Sequence, residues 1–450
     1  VARYFGTDGV RGVANLELTP ELAYKLGRAG AFVLTQGSTS VRAQIAVGKD
    51  TRISGDMLEA SLVAGILSVG VDVLRLGVIP TPGVSYLTRK LGCDAGVMIS
   101  ASHNPVPDNG IKFFGGDGFK LTDEQEAEFE RLLDAAVDEL PRPTGEQVGR
   151  IVEQANAGEL FTEFQKSTIS HRFDGIKVVL DCGNGAASYV AGDVFRSLGA
   201  DVIVINAEPT GTNINVGCGS THPEKVQEAV LAHGAAIGLS FDGDADRLIA
   251  VDDQGQIVDG DYIMGILGVA MKKRGALPNN TVVSTVMSNI GFHKAMREQG
   301  IDVKVTAVGD RYVMEEMRAG GYGLGGEQSG HIILLQHNTT GDGLLTALHL
   351  TDIMVESQQS LSSLRSIMRS FPQILVNVRV VTKDGWKDNA EILAAIQRAE
   401  EALGADGRVL VRPSGTEPLI RVMAEGPEEE ALQGYVNDIA NVVRREQGER

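Results

Sequence analysis

Gln44-Ile45-Ala46-Val47 is an apolar, strand-forming run; a polar loop and a helix-forming stretch at residues 57–69 follow, and Gly70-Val71-Asp72-Val73 leads into a second strand. The order recurs twice. Lys177-Val178-Val179-Leu180 runs through residues 187–198 to Gly199-Ala200-Asp201-Val202, and Thr281-Val282-Val283 through residues 290–299 to Gly300-Ile301-Asp302-Val303. A glycine just past each helix suits the left-handed residue that ends many helices. Strands alternating with single helices read as βαβ units with mostly parallel pairing. Spacing near a hundred residues is too long for a solenoid and fits three related α/β domains in series. Beyond Phe371-Pro372 the pattern changes to strand 374–381, helix 389–403, strands 408–411 and 419–424, and a helix near 428–445, a smaller α+β domain. The expected domains are residues 1–152, 153–255, 256–370 and 371–450.

The bulk numbers agree. At 450 residues the chain exceeds one ordinary core, which predicts three or four domains. A formal net charge of −18 argues against nucleic acid or an anionic membrane as partner, but a few arginines in one cleft can still hold a small anion. No apolar run is long enough to span a bilayer. Cys93, Cys182 and Cys218 are odd in number and widely spaced, which implies neither disulfides nor a zinc site. No apolar h-region follows Arg3, so no signal peptide is expected, and a cytoplasmic location fits.

Four segments carry chemistry. Ser100-Ala101-Ser102-His103-Asn104-Pro105 follows the apolar run Gly96-Val97-Met98, where α/β folds place ligands, although Ser, Asn and Pro also make ordinary turns. It has no G-x-S-x-G elbow, so a serine-hydrolase triad is not indicated. Asp242-Gly243-Asp244-Ala245-Asp246-Arg247 sets three carboxylates at alternate positions. On an extended segment these project to one side and converge on a hard cation; the competing reading is a solvated acidic turn. An EF-hand is rejected, because its sixth position would be Arg247 and its flank is strand-like. Gly325-Gly326-Glu327-Gln328-Ser329-Gly330-His331 suits sugar hydroxyls or is a plain glycine-rich turn. Arg412-Pro413-Ser414-Gly415-Thr416-Glu417-Pro418, with Arg421, is a phosphate cradle or a hairpin loop. Gly6-Thr7-Asp8-Gly9-Val10-Arg11-Gly12 adds an arginine among glycines. Together a serine nucleophile, a cation site, a hydroxyl reader and a phosphate clamp describe phosphosugar chemistry.

In this order, and over essentially the whole chain, these motifs resemble the α-D-phosphohexomutase superfamily. The opening Tyr4–Gly12 segment, Glu327-Gln328-Ser329-Gly330-His331, Val308-Gly309-Asp310-Arg311-Tyr312-Val313 and Ser414–Val422 look like its phosphoglucosamine mutase branch. The resemblance implies three similar α/β domains with mixed sheets and a smaller fourth around a central active-site cleft. It implies a phosphorylated Ser102 and Mg²⁺ held by Ser102, Asp242, Asp244 and Asp246. Arg247 would neutralise the phosphoserine, with Arg11 beside it among the catalytic groups, and Lys112 and His331 would be general acid and base. Glu327 and Ser329 would contact hydroxyls, and Arg412, Ser414, Gly415, Thr416 and Arg421 would hold the phosphate that is not reacting. The implied activity interconverts glucosamine 6-phosphate and glucosamine 1-phosphate through a 1,6-bisphosphate, feeding UDP-N-acetylglucosamine and cell-wall synthesis. Glucose 1,6-bisphosphate or glucosamine 1,6-bisphosphate would be the activator; the sequence itself is silent on oligomeric state, although the family it resembles often forms homodimers. The alternatives are a glucose or mannose phosphate mutase, a magnesium phosphatase and a non-catalytic phosphosugar-binding protein.

Overall fold

The computed structural model describes residues 4–6, 8–414 and 418–448. These fall into two compact units, one running to residue 287 and including 300–367, the other holding 288–299 and residues from 368 onward.

The first unit contains three mixed sheets. β1 (Val10–Val13), β2 (Gln44–Lys49), β3 (Asp72–Val78), β4 (Ala95–Ile99), β5 (Asp108–Gly115) and β6 (Ile151–Glu153) take the order β1-β5-β4-β2-β3-β6. β7 (Lys177–Asp181), β8 (Asp201–Ile205), β9 (Ile237–Phe241), β10 (Leu248–Asp252) and β11 (Ile257–Val258) take the order β11-β10-β9-β7-β8. β12 (Thr281–Thr285), β13 (Asp302–Thr306), β14 (Leu324–Gly326) and β15 (Ile332–Leu334) take the order β13-β12-β14-β15.

One four-strand kernel repeats in all three. In each, the first strand of the repeat pairs in parallel with the second and third, and the third forms an antiparallel hairpin with the fourth. The parallel pairs β2/β3, β7/β8 and β12/β13 are the three pairs expected from the recurrent glycine pattern. Gly70, Gly199 and Gly300 sit at φ 89°, 97° and 62°, in the left-handed region that stops the preceding helix without Cβ strain. β4, β9 and β12 are buried at every position, and none shows the strict in–out alternation of a half-exposed strand.

In the first sheet, helices Pro20–Leu34, Ser54–Ser68 and Asp123–Leu133 bury Leu26, Leu62 and Phe129 against Val47, Val97 and Phe113. Burying a side chain of this size contributes about 1.5–3 kcal/mol. The Thr122 hydroxyl accepts from Gln125 N while Gln125 reaches back to Thr122 N, a reciprocal cap that fixes where the third helix begins.

The second unit is α+β. β16 (Gln373–Arg379), β17 (Arg408–Pro413) and β18 (Leu419–Glu425) form an antiparallel sheet in the order β16-β18-β17. Helices Ala390–Leu403 and Glu429–Gln447 bury Ile392, Val436 and Ile439 against Val378, Ile420 and Val422. Helix Ile290–Glu298, the crossover between β12 and β13, belongs to this unit. Its entry is tied down by Ile290 N donating to Glu425 Oε2 at 3.0 Å and by Asn289 Oδ1 accepting from Phe371 N at 2.9 Å. All three cysteines are free and buried, and among the described residues no helix is long and apolar enough to cross a membrane.

Candidate active site

The three chemical motifs of the first unit occupy equivalent positions. Ser102 lies in the β4–β5 loop, Asp242, Asp244 and Asp246 in the β9–β10 loop, and Glu327, Ser329 and His331 in the β14–β15 loop. Each is the antiparallel hairpin of its kernel. The hairpins are joined by backbone, since Leu248 N donates to Gly330 O at 3.0 Å and Arg247 bridges His331.

Ser102 is 1% exposed, and its hydroxyl donates to Asp242 Oδ2 at 2.5 Å. The neighbouring His103 Nδ1 is 3.5 Å from that hydroxyl, and burial followed by the charges of Arg247 and Arg11 pushes its imidazole down to about 4. The serine is therefore wired to a carboxylate of the second sheet and not to a histidine base. Gly243 lets the two loops meet, because a Cβ there would lie 2.6 Å from the Ser102 carbonyl oxygen.

The carboxylates converge, but not by the route expected from their alternate spacing. Extended strand rises about 3.3 Å per residue, which would leave Asp242 and Asp246 roughly 13 Å apart. The chain turns instead, with Ala245 in the left-handed region at φ 54°, and ligand oxygens of Asp242, Asp244 and Asp246 lie within 4.8 Å of one another. All three side chains are buried, and Asp244 Oδ1 and Asp246 Oδ1 have no hydrogen-bond partner among the described residues. An all-oxygen trio with unsatisfied buried lone pairs fits a hard divalent cation.

The trio's electrostatics say the same. Burial, then repulsion from Asp246 and Asp244, holds the Asp242 carboxyl well above the ordinary carboxylate range. Burial would also raise Asp244, but the Lys112 ammonium 2.8 Å away and the Thr81 hydroxyl bring it down to about 2. A cation bound by the trio would compete with a proton on Asp242, so its affinity should rise with pH. Calorimetric titration with Mg²⁺ in two buffers of different ionisation enthalpy should show release of up to about one proton. Identical heats in both buffers would rule this out.

Lys112, on β5, is 1% exposed and reaches Asp244, Asp8 at 3.0 Å and Asp246 at 3.6 Å. Burial opposes its charge, but these three carboxylates more than offset that and raise its pKa. Asp8 also pairs with Arg11 and, at 2.5 Å, with Lys120, which in turn pairs with Asp310. Asp310 Oδ2 is 3.7 Å from His331 Nε2. An alternating chain thus runs Lys112–Asp8–Lys120–Asp310–His331, linking the two groups expected to act as acid and base. Asp8, Lys120 and Asp310 were not among the expected site residues, although Asp8 and Asp310 stand inside quoted motifs.

Arg11, His103, Asp246, Arg247, Glu327, Ser329 and His331 line one cavity of about 640 Å³. Glu327 Oε1 accepts from Gly309 N at 3.2 Å, and Gly330 N closes the turn onto Glu327 O at 3.0 Å. Arg247 N donates to Asp242 Oδ1 at 3.2 Å.

In the second unit Arg412 and Arg421 are direct cross-strand partners on β17 and β18. Burial, then the charge of Arg421, lowers the Arg412 pKa. Two guanidinium groups at paired strand positions supply donors of the kind that bind phosphate oxygens. The buried Ser414 donates its N–H to Leu419 O at 2.8 Å, and its carbonyl accepts from Lys383 at 2.8 Å. Gly415 and Thr416 lie outside the described residues.

Comparison with known proteins divides the chain into four parts. The chain matches all four domains of the phosphoglucomutase/phosphomannomutase family: alpha/beta/alpha domain I over residues 2–139, domain II over 159–255, domain III over 259–371 and the C-terminal domain over 375–442. It is 60% identical over 446 residues to a phosphoglucosamine mutase of Brevibacillus brevis, covering 99% of this chain and all of that one. Among solved structures it resembles a phosphoglucomutase/phosphomannomutase family protein of Burkholderia thailandensis, with a TM-score of 0.81, 24% identity, and 98% and 97% of the two chains covered. It also resembles the Aspergillus fumigatus N-acetylphosphoglucosamine mutase in complex with GlcNAc-6P and magnesium, with a TM-score of 0.67, 17% identity, and 99% and 96% covered. The last two likenesses concern the fold.

Proposed function

The chain belongs to the phosphoglucomutase/phosphomannomutase family, and on that premise we propose that it interconverts glucosamine 6-phosphate and glucosamine 1-phosphate. The observation that carries the reading is the 2.5 Å bond from Ser102 Oγ to Asp242, which joins a buried nucleophile to a buried carboxylate trio beside Lys112.

Ser102 Oγ carries the phosphoryl group. The free hydroxyl of the bound monophosphate attacks phosphorus, the bond from phosphorus to Oγ breaks, the hydroxyl proton leaves to a base and Oγ regains one. The 1,6-bisphosphate so formed turns over, and its other phosphate returns to Ser102. Asp242, Asp244 and Asp246, with a phosphoserine oxygen, would hold Mg²⁺, which supplies charge neutralisation at the transferring group. Lys112, kept charged by three carboxylates, neutralises developing charge as a fixed ammonium rather than giving up its proton, and His331, on the opposite hairpin, takes the proton-transfer part. Arg247 and Arg11 flank the phosphoserine, while Glu327 and Ser329 orient the sugar. Arg412, Ser414 and Arg421, with Gly415 and Thr416, hold the phosphate that is not transferred. The proposal extends to a bisphosphorylated hexose as activator, to the cytoplasm, to a homodimer and to a supply role for cell-wall amino sugars. Its four domains end near residues 152, 255 and 370.

Phosphorus NMR with Mg²⁺, a trace of glucose 1,6-bisphosphate and the 6-phosphates of glucosamine, glucose and mannose in parallel tests this. A sugar 1-phosphate signal growing fastest from glucosamine 6-phosphate is expected. Faster conversion of a neutral sugar would overturn the specificity, and inorganic phosphate alone would overturn the mutase.

A further inference from the structure

We infer that Arg52, with Asn215 opposing it, is a positioning residue that fixes the angle at which Ser102 presents its oxygen to the transferring phosphoryl group. The inference rests on the mutase reading and assigns a part to residues that reading leaves idle.

Arg52 follows β2 and is 2% exposed. A guanidinium has five N–H donors in a rigid planar fork, and here every one is committed. Nη2 donates to the carbonyls of Ser102 at 3.0 Å and Asn104 at 2.8 Å, and Nη1 to those of Pro105 at 2.7 Å and Asp108 at 3.1 Å. The fifth, Nε, donates to Asp50 Oδ2 at 3.0 Å. Four bonds therefore fall within one seven-residue stretch of the nucleophile loop. From the loop after β8, Asn215 Nδ2 donates to two of the same carbonyls, Ser102 at 2.9 Å and Asn104 at 3.2 Å. The Ser102 carbonyl is thus held by one donor from each of two sheets.

The amide side of Ser102 is held by the same hub. Ser102 N donates to Ser100 Oγ at 2.9 Å, and Ser100 Oγ donates at 2.6 Å to Asp50 Oδ2, the oxygen that receives Arg52 Nε. With both flanking peptides pinned, Ser102 is kept at φ 53°, a left-handed conformation unusual for a residue other than glycine. Only the rotation about Cα–Cβ remains to place the oxygen, and it directs Oγ at Asp242. The segment also docks on the second sheet, Thr51 Oγ1 donating to Asn184 O at 2.6 Å and Ile53 N to Gly211 O at 2.8 Å. Arg52 bonds the loop backbone and not the serine oxygen, so it acts through geometry. Small errors in nucleophile placement are costly in phosphoryl transfer, where catalysis is mostly positioning.

The test uses Arg52→Lys and Asn215→Gly in the full chain. Glycine tolerates the φ of 58° at Asn215 and removes the carboxamide that holds the two carbonyls. Each enzyme is loaded with glucose 1,6-bisphosphate, its phosphoserine is counted by intact-mass spectrometry, and transfer to glucosamine 6-phosphate is followed in a single turnover. The expected result is a rate per phosphoserine lowered about 100-fold for Arg52→Lys and about 10-fold for Asn215→Gly. The KM for glucosamine 6-phosphate should stay within about threefold. A residue that merely supports the fold would reduce the amount of phosphoserine and leave the rate per phosphoserine unchanged, and that outcome overturns the inference. Should Arg52→Lys fail to fold, Asn215→Gly decides alone. Absence of transfer from the unaltered enzyme would instead refute the mutase reading.

Discussion

Ser102→Ala is expected to lower turnover of glucosamine 6-phosphate by at least about 10⁴-fold while leaving the folded chain and its affinity for the monophosphate largely intact. The reason is local. The hydroxyl makes one strong bond, to Asp242 Oδ2 at 2.5 Å, and the loop around it is anchored through backbone groups that alanine retains. Loss of that bond should cost about 1–3 kcal/mol of stability, since it leaves a buried carboxylate oxygen without its donor. Steady-state mutase assay, equilibrium binding of glucosamine 6-phosphate and a thermal melt separate the three quantities. Retained turnover would remove Ser102 from the chemistry, whereas unfolding would show that the bond to Asp242 holds the hairpins together.

Lys112→Met is expected to be damaging in a different currency. The ammonium is buried with contacts to Asp244, Asp8 and Asp246, and removing it leaves these carboxylates facing one another. Breaking a buried charge cluster by deleting one partner typically costs about 3–5 kcal/mol. Because the folded-state pKa of Lys112 is raised, its contribution is fully present below the unfolded value and is lost only as pH rises above the lysine range. The stability deficit of the variant should therefore be constant through neutral pH and shrink only in strong alkali. Denaturant unfolding at several pH values measures this. Turnover should fall about 10³-fold or more in the fraction that stays folded. A variant as stable as the parent would mean the carboxylates find another counter-charge.

The parallel strand pairs were legible because β2, β7 and β12 each carry an apolar centre, Ile45-Ala46-Val47, Val178-Val179-Leu180 and Val282-Val283, and each crossover ends in a positive-φ glycine. Ser102, the three aspartates and His331 were legible because they stand in short motifs whose composition is odd for a core and purposeful for a phosphosugar. Other features were not. The turn at Ala245 was misread as extended, since alternate spacing alone does not reveal a left-handed residue. Arg52 and Asn215 escaped notice because their partners lie 50 and 113 residues away along the chain, and nothing local distinguishes a clamp from a solvated side chain. Lys120 and Asp310 escaped for the same reason, being 190 residues apart. That helix Ile290–Glu298 sides with the C-terminal unit is likewise a matter of tertiary contact, visible in Asn289, Glu425 and Phe371 but not in the helix's own periodicity.

The hairpin shared by all three sheets has a consequence for how such an enzyme can change over generations. A tip between antiparallel strands is where sequence can drift without shifting register or core. Three tandem copies of one kernel leave three such tips to diverge, and on the proposed mechanism they would supply the nucleophile, the cation ligands and the hydroxyl contacts in turn. Specialisation is irreversible in an instructive way. The cage of the second copy has its nearest counter-charge in Lys112 of the first, and His331 of the third answers to Asp310, tied through Lys120 back to Asp8. No copy can be lost or reshuffled without stranding charge in another, so the number of repeats is locked by electrostatic debt among them.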